Sequence, residues 1–204
     1  MILSDGEIEH AIAEGLITID PVPTKEFYSA SAVDLRLGSD LFILKTEAEL
    51  RDEEPPGVER PIVLDLENLD IREWLRKYAR PAITDSDGTY PFPPKLFLLG
   101  MTQEQVSLPK ASKIAARVEG KSSFARTGLT IHMTAPTIHA NPTGTIALEM
   151  YNFGNYPVRL RPGMRICQLI FEQTVGTPEK GYQGSFARQA TKKKGGARKP
   201  SRSR

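Results

Sequence analysis

The chain has 204 residues and one cysteine, Cys167. A lone cysteine excludes an intrachain disulfide and fits a reducing compartment. No run approaches the ~18 consecutive apolar residues that a membrane-spanning helix needs. The opening stretch MILSDGEIEH has no basic-then-apolar leader, so the expected location is the cytoplasm. Histidine is scarce: His10, His132 and His139 show neither HExxH nor another usual zinc spacing. A zinc-dependent deaminase also needs a Cys-x-x-Cys pair beside a histidine or cysteine, and one cysteine cannot supply it. The serine-nucleophile pattern GxSxG is missing. The phosphate loop GxxxxGK[ST] fails as well, because Ala115 stands where the first glycine belongs.

What is present suits one domain with a sizeable core: 39% of residues are hydrophobic. The net charge of +2 hides an asymmetry. Eight of the 27 Lys and Arg lie from Arg188 onward, with no acid among them, so the preceding 187 residues carry 19 basic against 25 acidic groups, a net of −6. The expected division is a folded domain over 1–187 and a basic, disordered tail over 188–204. Such a tail can touch nucleic acid or another polyanion, although a merely solvated tail is the commoner case.

Ser4 to Gly15 predicts a short helix, with Ser4 and Glu7 spaced as a capping box and Gly15 as the stop. In SAVDLRLG, Val33, Leu35 and Leu37 alternate with Asp34 and Arg36, which predicts a strand. Residues 46–60 are acidic with a Pro-Pro pair and read as a loop. Leu66 to Tyr78 has helical spacing at Leu69, Trp74 and Leu75. PFPPKLFLLGMTQEQVSLP reads as turn, strand, turn, strand. LTIHM, TIALEMYNF and VRLRPGMRICQLIFEQ follow as short strands, the last broken by a turn at Pro162-Gly163. The expected fold is mainly β, a barrel or jelly-roll-type sandwich with a few short helices.

Three stretches carry groups suited to chemistry. In GKSSFAR, Lys121 and Arg126 give fixed positive charge and Ser122 and Ser123 give hydroxyls. A helical turn begun at Ser122 would add free N–H groups for an anion. A plain capped surface turn explains KSS equally simply. In TIALEMYNF, Glu149 shares a face with Ala147 and Tyr151, while Ile146, Leu148 and Met150 share the other. A carboxylate buried there becomes useful for proton transfer, whereas ordinary alternation would turn it to water. In APTIHANPTG, His139 and Asn141 occupy a turn-rich link. There the histidine is either a hydroxyl or phosphate ligand or an ordinary surface residue.

These stretches, in this order, resemble the deoxycytidine triphosphate deaminase family of the trimeric dUTPase-like superfamily. The matching residues are MILSD, SAVDLRLG at 31–38, VEGKSSFARTGLTIHMTA at 118–135, GTIALEMYN at 144–152 and LRPGMRICQLIF at 160–171. The resemblance implies hydrolytic deamination of dCTP to dUTP and ammonia without protein-bound zinc. Glu149 would be the proton-transferring glutamate, Ser122 would hold the attacking water, and Arg126 would support the base and the glutamate. Lys121 and Ser123 would meet the triphosphate, the lysine standing where the family usually has an arginine. Main chain around Ala135 and from Ala147 through Leu148 to Glu149 would read the cytosine edge. Lys180, Tyr182 and Gln183 would belong to a closing C-terminal segment. Mg2+ would arrive bound to the triphosphate, and sites would form between subunits of a homotrimer.

The resemblance breaks at Ile138-His139-Ala140-Asn141, where the family usually has Ile-Asp-Pro-Gly. His139 is then expected on the sugar 3′-hydroxyl. Loss of the aspartate argues against triphosphate cleavage, hence against a bifunctional deaminase–dUTPase. A non-catalytic nucleotide sensor is the other alternative. The stretch 46–95 is longer than the family needs and is expected to be a packing or subunit-surface addition.

Overall fold

The computed structural model describes residues 1–53, 63–139 and 143–177. Helix α1 (Asp5–Ala13) starts where Ser4 Oγ accepts the Glu7 N–H at 3.4 Å, and it buries Ile8 and Ala11. The strands in chain order are β1 (Thr18–Asp20), β2 (Tyr28–Ser29), β3 (Ala32–Arg36), β4 (Phe42–Leu44), β5 (Ala79–Pro81), β6 (Tyr90–Phe92) and β7 (Phe97–Ser107). They continue as β8 (Ile114–Gly120), β9 (Leu129–Thr130), β10 (Thr137–Ile138), β11 (Thr143–Asn152), β12 (Val158–Leu160) and β13 (Arg165–Gln173).

All the described strand pairs are antiparallel, and they form two main sheets. One runs β5-β4-β7-β11-β9, with β1 on the far half of β7; the other runs β10-β8-β13-β3-β2. A small ribbon pairs β12 with β6. Alternation decides which side chains go inward. Leu98, Val106, Leu148 and Met150 of the first sheet meet Val33, Leu35, Val118, Leu169 and Phe171 of the second in one core. Both sheets are open, so the architecture is a sandwich rather than a closed barrel. They are stitched at one corner, where Leu37 bridges Thr102 and the Gly38 N–H donates to the Met101 carbonyl at 2.7 Å.

Near that stitch the inward face of β7 turns polar. Thr102 and Glu104 are buried. Glu104 is satisfied across the sandwich by Arg36, whose backbone N–H and Nε reach its carboxylate at 2.8 and 2.6 Å. Thr102 Oγ1 accepts the Ile146 N–H at 2.8 Å, where the β7–β11 register shifts between Thr145 and Ala147.

Several elements differ from the sequence expectation. The stretch read as a loop from 46 contains helix α2 (Glu47–Asp52), closed by a full Thr46–Glu49 capping box. Acidic composition masked that N-terminal signature. The helix expected from Leu66 is α3 (Ile71–Tyr78), because the Asp70 carboxylate caps the Arg72 and Glu73 N–H groups and sets the start there. Phe97–Ser107 is one strand rather than two; β1 and β4 share one of its edges, so it runs on past Gly100. LTIHM contributes only Leu129–Thr130 as strand. Within 46–95, β5 extends the first sheet through β4 and β6 pairs with β12, while α2 and α3 bury no residue.

Candidate functional site

Helix α4 (Ser122–Ala125) is one turn, and it sits where the chain leaves one sheet for the other. Before it, β8 ends with Gly120 opposite Cys167 in the second sheet. After it, β9 joins β11 in the first, with Leu129 opposite Asn152. A helical turn does begin at Ser122. Ser122, Ser123 and Arg126 are exposed on it. Among the described residues, none of the three makes a side-chain hydrogen bond or ion pair.

The turn is clamped to the end of β11 by close backbone contact. Gly128 has φ +91° and packs on Gly154, and its carbonyl accepts the Phe153 N–H at 2.8 Å. Asn152 supports the same corner: its buried amide donates to the Phe92 and Tyr156 carbonyls and accepts the Gly154 N–H at 2.9 Å. Neither Gly128 nor Gly154 leaves room for a side chain.

Lys121, the residue before the turn, has an unforeseen partner. Its ammonium donates to Asp34 Oδ2 at 2.5 Å. Arg165 Nη1 stands 3.7 Å from the same oxygen and donates to the Glu26 carbonyl at 2.7 Å. Asp34 lies on the β3 face opposite Val33 and Leu35, and its side chain is only 11% exposed. The adjoining Cys167 thiol is pushed up to about 12, chiefly by burial and then by the Glu104 and Asp34 charges.

Glu149 is half-buried in mid-β11, opposite Leu99 of β7, on the face away from the core. It too has no side-chain partner among the described residues. Ala147 is exposed, and the Leu148 side chain lies in the core, so any contact from Leu148 runs through its main chain. On the β9 side, the described pairing of β11 covers only Tyr151 and Asn152, and among the described residues no strand pairs with the preceding part of that edge. Ala135 is exposed just before β10, and His139 is exposed just after it. Within one chain the structure does not join Glu149 to Ser122 or Arg126 by any described bond. Lys180, Tyr182, Gln183, Ala140, Asn141 and the basic tail lie outside the described residues.

The class is therefore a two-sheet β-sandwich with an anion-suited turn at the crossover and a carboxylate beside an open strand edge. The sequence pattern of the dCTP deaminase-like family matches residues 2–174, and the chain belongs to that family. It is 37% identical over 181 residues to a protein of Methanosphaera stadtmanae named "dCTP deaminase, dUMP-forming", covering 89% of this chain and 83% of the relative. It is also 37% identical over 186 residues to a "dCTP deaminase" of Rhodospirillum rubrum, covering 91% and 89%. The crystal structure of 2′-deoxycytidine 5′-triphosphate deaminase from Agrobacterium tumefaciens superposes with a TM-score of 0.58 at 21% identity. That match covers 83% of this chain and 47% of the solved one, so the chain spans about half of that protein's length and the likeness concerns the fold.

Proposed function

We propose that the protein deaminates dCTP, releasing dUTP and ammonia. The observation that carries this is the availability of the chemical groups. Glu149 is half-buried without a partner beside an open strand edge, and Ser122 and Arg126 are held on a clamped turn with their side chains free among the described residues. Ser122 and Arg126 are exposed and Glu149 lies on the outer face of its sheet, so all three can reach a ligand.

In the proposed reaction, the triphosphate lies along the Lys121-Ser122-Ser123 turn, where ammonium, hydroxyls and backbone N–H groups suit phosphate oxygens. This donor set fits the anion rather than a cation. Among the described residues no group of three or more His, Cys, Asp and Glu stands together. Mg2+ would come as part of the substrate complex, bound through the triphosphate. The main chain of β11 from Ala147 to Glu149 and that around Ala135 would read the cytosine edge with fixed donors and acceptors. Glu149 takes a proton from a water positioned by Ser122 as the oxygen bonds to C4 and the C4=N3 pair moves onto N3. The same carboxyl then returns the proton to the departing nitrogen, the N3 pair re-forms the double bond as the C4–N4 bond breaks, ammonia leaves, and the remaining hydroxyl proton passes to N3 to give the uracil base. Arg126 supports the glutamate and the base. His139 bonds the sugar 3′-hydroxyl, and Lys180, Tyr182 and Gln183 would add contacts to the nucleotide.

A second copy of the chain would complete each site, in a homotrimer. This accounts for the lack of a bond from Glu149 to the α4 turn inside one chain. The single buried cysteine suits a reducing cytoplasm. A dUMP-forming reaction is the second reading, favoured by the name of the Methanosphaera relative.

Incubation with dCTP and Mg2+, with products resolved by ion exchange, tests the proposal. Accumulation of dUTP, reduced about 10²–10⁴-fold in Glu149→Gln, is the expected result. Appearance of dUMP with pyrophosphate would establish the second reading. Untouched dCTP would overturn both.

A further inference from the structure

Asp34 has no role in the chemistry above, yet its environment is unusual for its place in the sequence. It lies on the strand face opposite Val33 and Leu35, where alternation points to water. Its side chain is 11% exposed nonetheless. A carboxylate so covered needs cationic partners, and both of its partners use one oxygen. Lys121 Nζ lies 2.5 Å and Arg165 Nη1 3.7 Å from Oδ2. Arg165 is itself fixed, by the Glu26 carbonyl and by stacking 5.4 Å from the centre of the Phe27 ring.

A carboxylate beside a phosphate site is electrostatically counterproductive, because it cancels charge that would attract the ligand. Its benefit is geometric. Lysine is a point charge on a flexible four-carbon stem, and fixing that stem costs rotamer freedom on binding. Asp34 takes one of the three ammonium N–H groups and leaves two, to which no described bond is made. Arg165 keeps the three-residue cluster at a net single positive charge.

We propose that Asp34 is a positioning residue of the phosphate site: it holds the Lys121 ammonium where a triphosphate meets it, while Arg165 restores the charge the carboxylate cancels. This rests on the reading of the Lys121–Ser123 turn as the phosphate site.

Binding of inorganic tripolyphosphate to the full chain, measured by calorimetry, tests the idea without depending on the base. Four proteins are needed: the parent, Asp34→Asn, Lys121→Met and the double variant. Positioning predicts that Asp34→Asn weakens binding about tenfold in the parent and has no weakening effect once Lys121 is gone. Simple electrostatics predicts the opposite sign in the parent, since a negative charge has been removed. Tighter or unchanged binding there overturns the proposal. So does an equal loss in both backgrounds, which marks a merely structural residue, and so does a parent that binds no tripolyphosphate.

If Asp34→Asn does not fold, the parent protein answers by NMR of its lysine ammonium groups. A Lys121 signal immobile before ligand is added supports the proposal, and one as mobile as surface lysines overturns it. In turnover of dCTP, Asp34→Asn should raise KM about tenfold and leave kcat within about twofold. Coupled loss of tripolyphosphate binding in a parent that leaves dCTP unchanged would keep this inference and sink the deaminase reading. An active deaminase with additive losses would do the reverse.

Discussion

Replacing Gly128 by alanine should damage the protein more than its chemistry suggests, because two costs coincide there. The residue sits at φ +91°, a region that costs an L-residue roughly 1–2 kcal/mol. A Cβ would also lie 2.4 Å from Gly154 N and 2.7 Å from its Cα. Both are backbone atoms that cannot rotate away. The turn must lift from β11, stretching the 2.8 Å bond from the Phe153 N–H to the Gly128 carbonyl, a bond worth about 1 kcal/mol. The expected total is about 2–3 kcal/mol, a substantial part of a typical 5–15 kcal/mol stability. Gly163 is the internal control. Its φ is +86°, but nothing lies within 4 Å of an added Cβ, so Gly163→Ala should lose only the torsional ~1–2 kcal/mol. Urea unfolding at constant slope measures both. Equal losses at the two positions, or a loss at Gly128 under about 1 kcal/mol, would refute the argument that close backbone approach clamps the turn.

Two further outcomes follow from buried groups. Glu104→Gln leaves Arg36 facing an amide in place of a carboxylate that is 2% exposed. Denaturation should show a loss of about 2–3 kcal/mol, below the 3–5 kcal/mol of a fully buried pair because Arg36 is 28% exposed; a loss under about 1 kcal/mol would contradict the pairing described. Cys167, pushed up to about 12 from 9.0, stays a thiol in the folded state. Iodoacetamide at pH 8 should label it only in denaturant, and labelling of the native protein would show the thiol to be accessible. The sign for stability follows from linkage. The unfolded thiol ionises first, so this group's contribution is complete below about pH 9 and falls as the pH rises toward 12.

Local signals carried well where one element decides its own form. Ser4 starts α1 as its hydroxyl predicts. The alternation of Val33, Leu35 and Leu37 places all three in the core. Ser122 begins a helical turn, and the Pro162-Gly163 signal falls between β12 and β13. The misreadings have two causes, one local and one non-local. The capping box of α2 was hidden by the acidic composition around it. Phe97–Ser107 continues as one strand because β1 and β4 pair with successive halves of one edge, and no residue in the strand reports those partners.

The candidate site divides along the same line. Order and spacing in the sequence were enough to single out Lys121, Ser122, Ser123, Arg126 and Glu149, because a chemical type at a motif position is a one-dimensional property. The partnership of Lys121 with Asp34 spans 87 residues, and that of Arg36 with Glu104 spans 68. Neither leaves a local trace. By alternation alone, Asp34 is a solvated residue and Glu104 an ordinary polar interruption. Packing one sheet against the other buries Glu104 beside Arg36, and the crossover at α4 brings Lys121 over Asp34 on the outer face, so each carboxylate meets a cation. The sequence by itself determined which groups the protein has available for chemistry. The tertiary structure decided which of them are free and which are held, because desolvation acts on neighbours in space and not on neighbours in the chain.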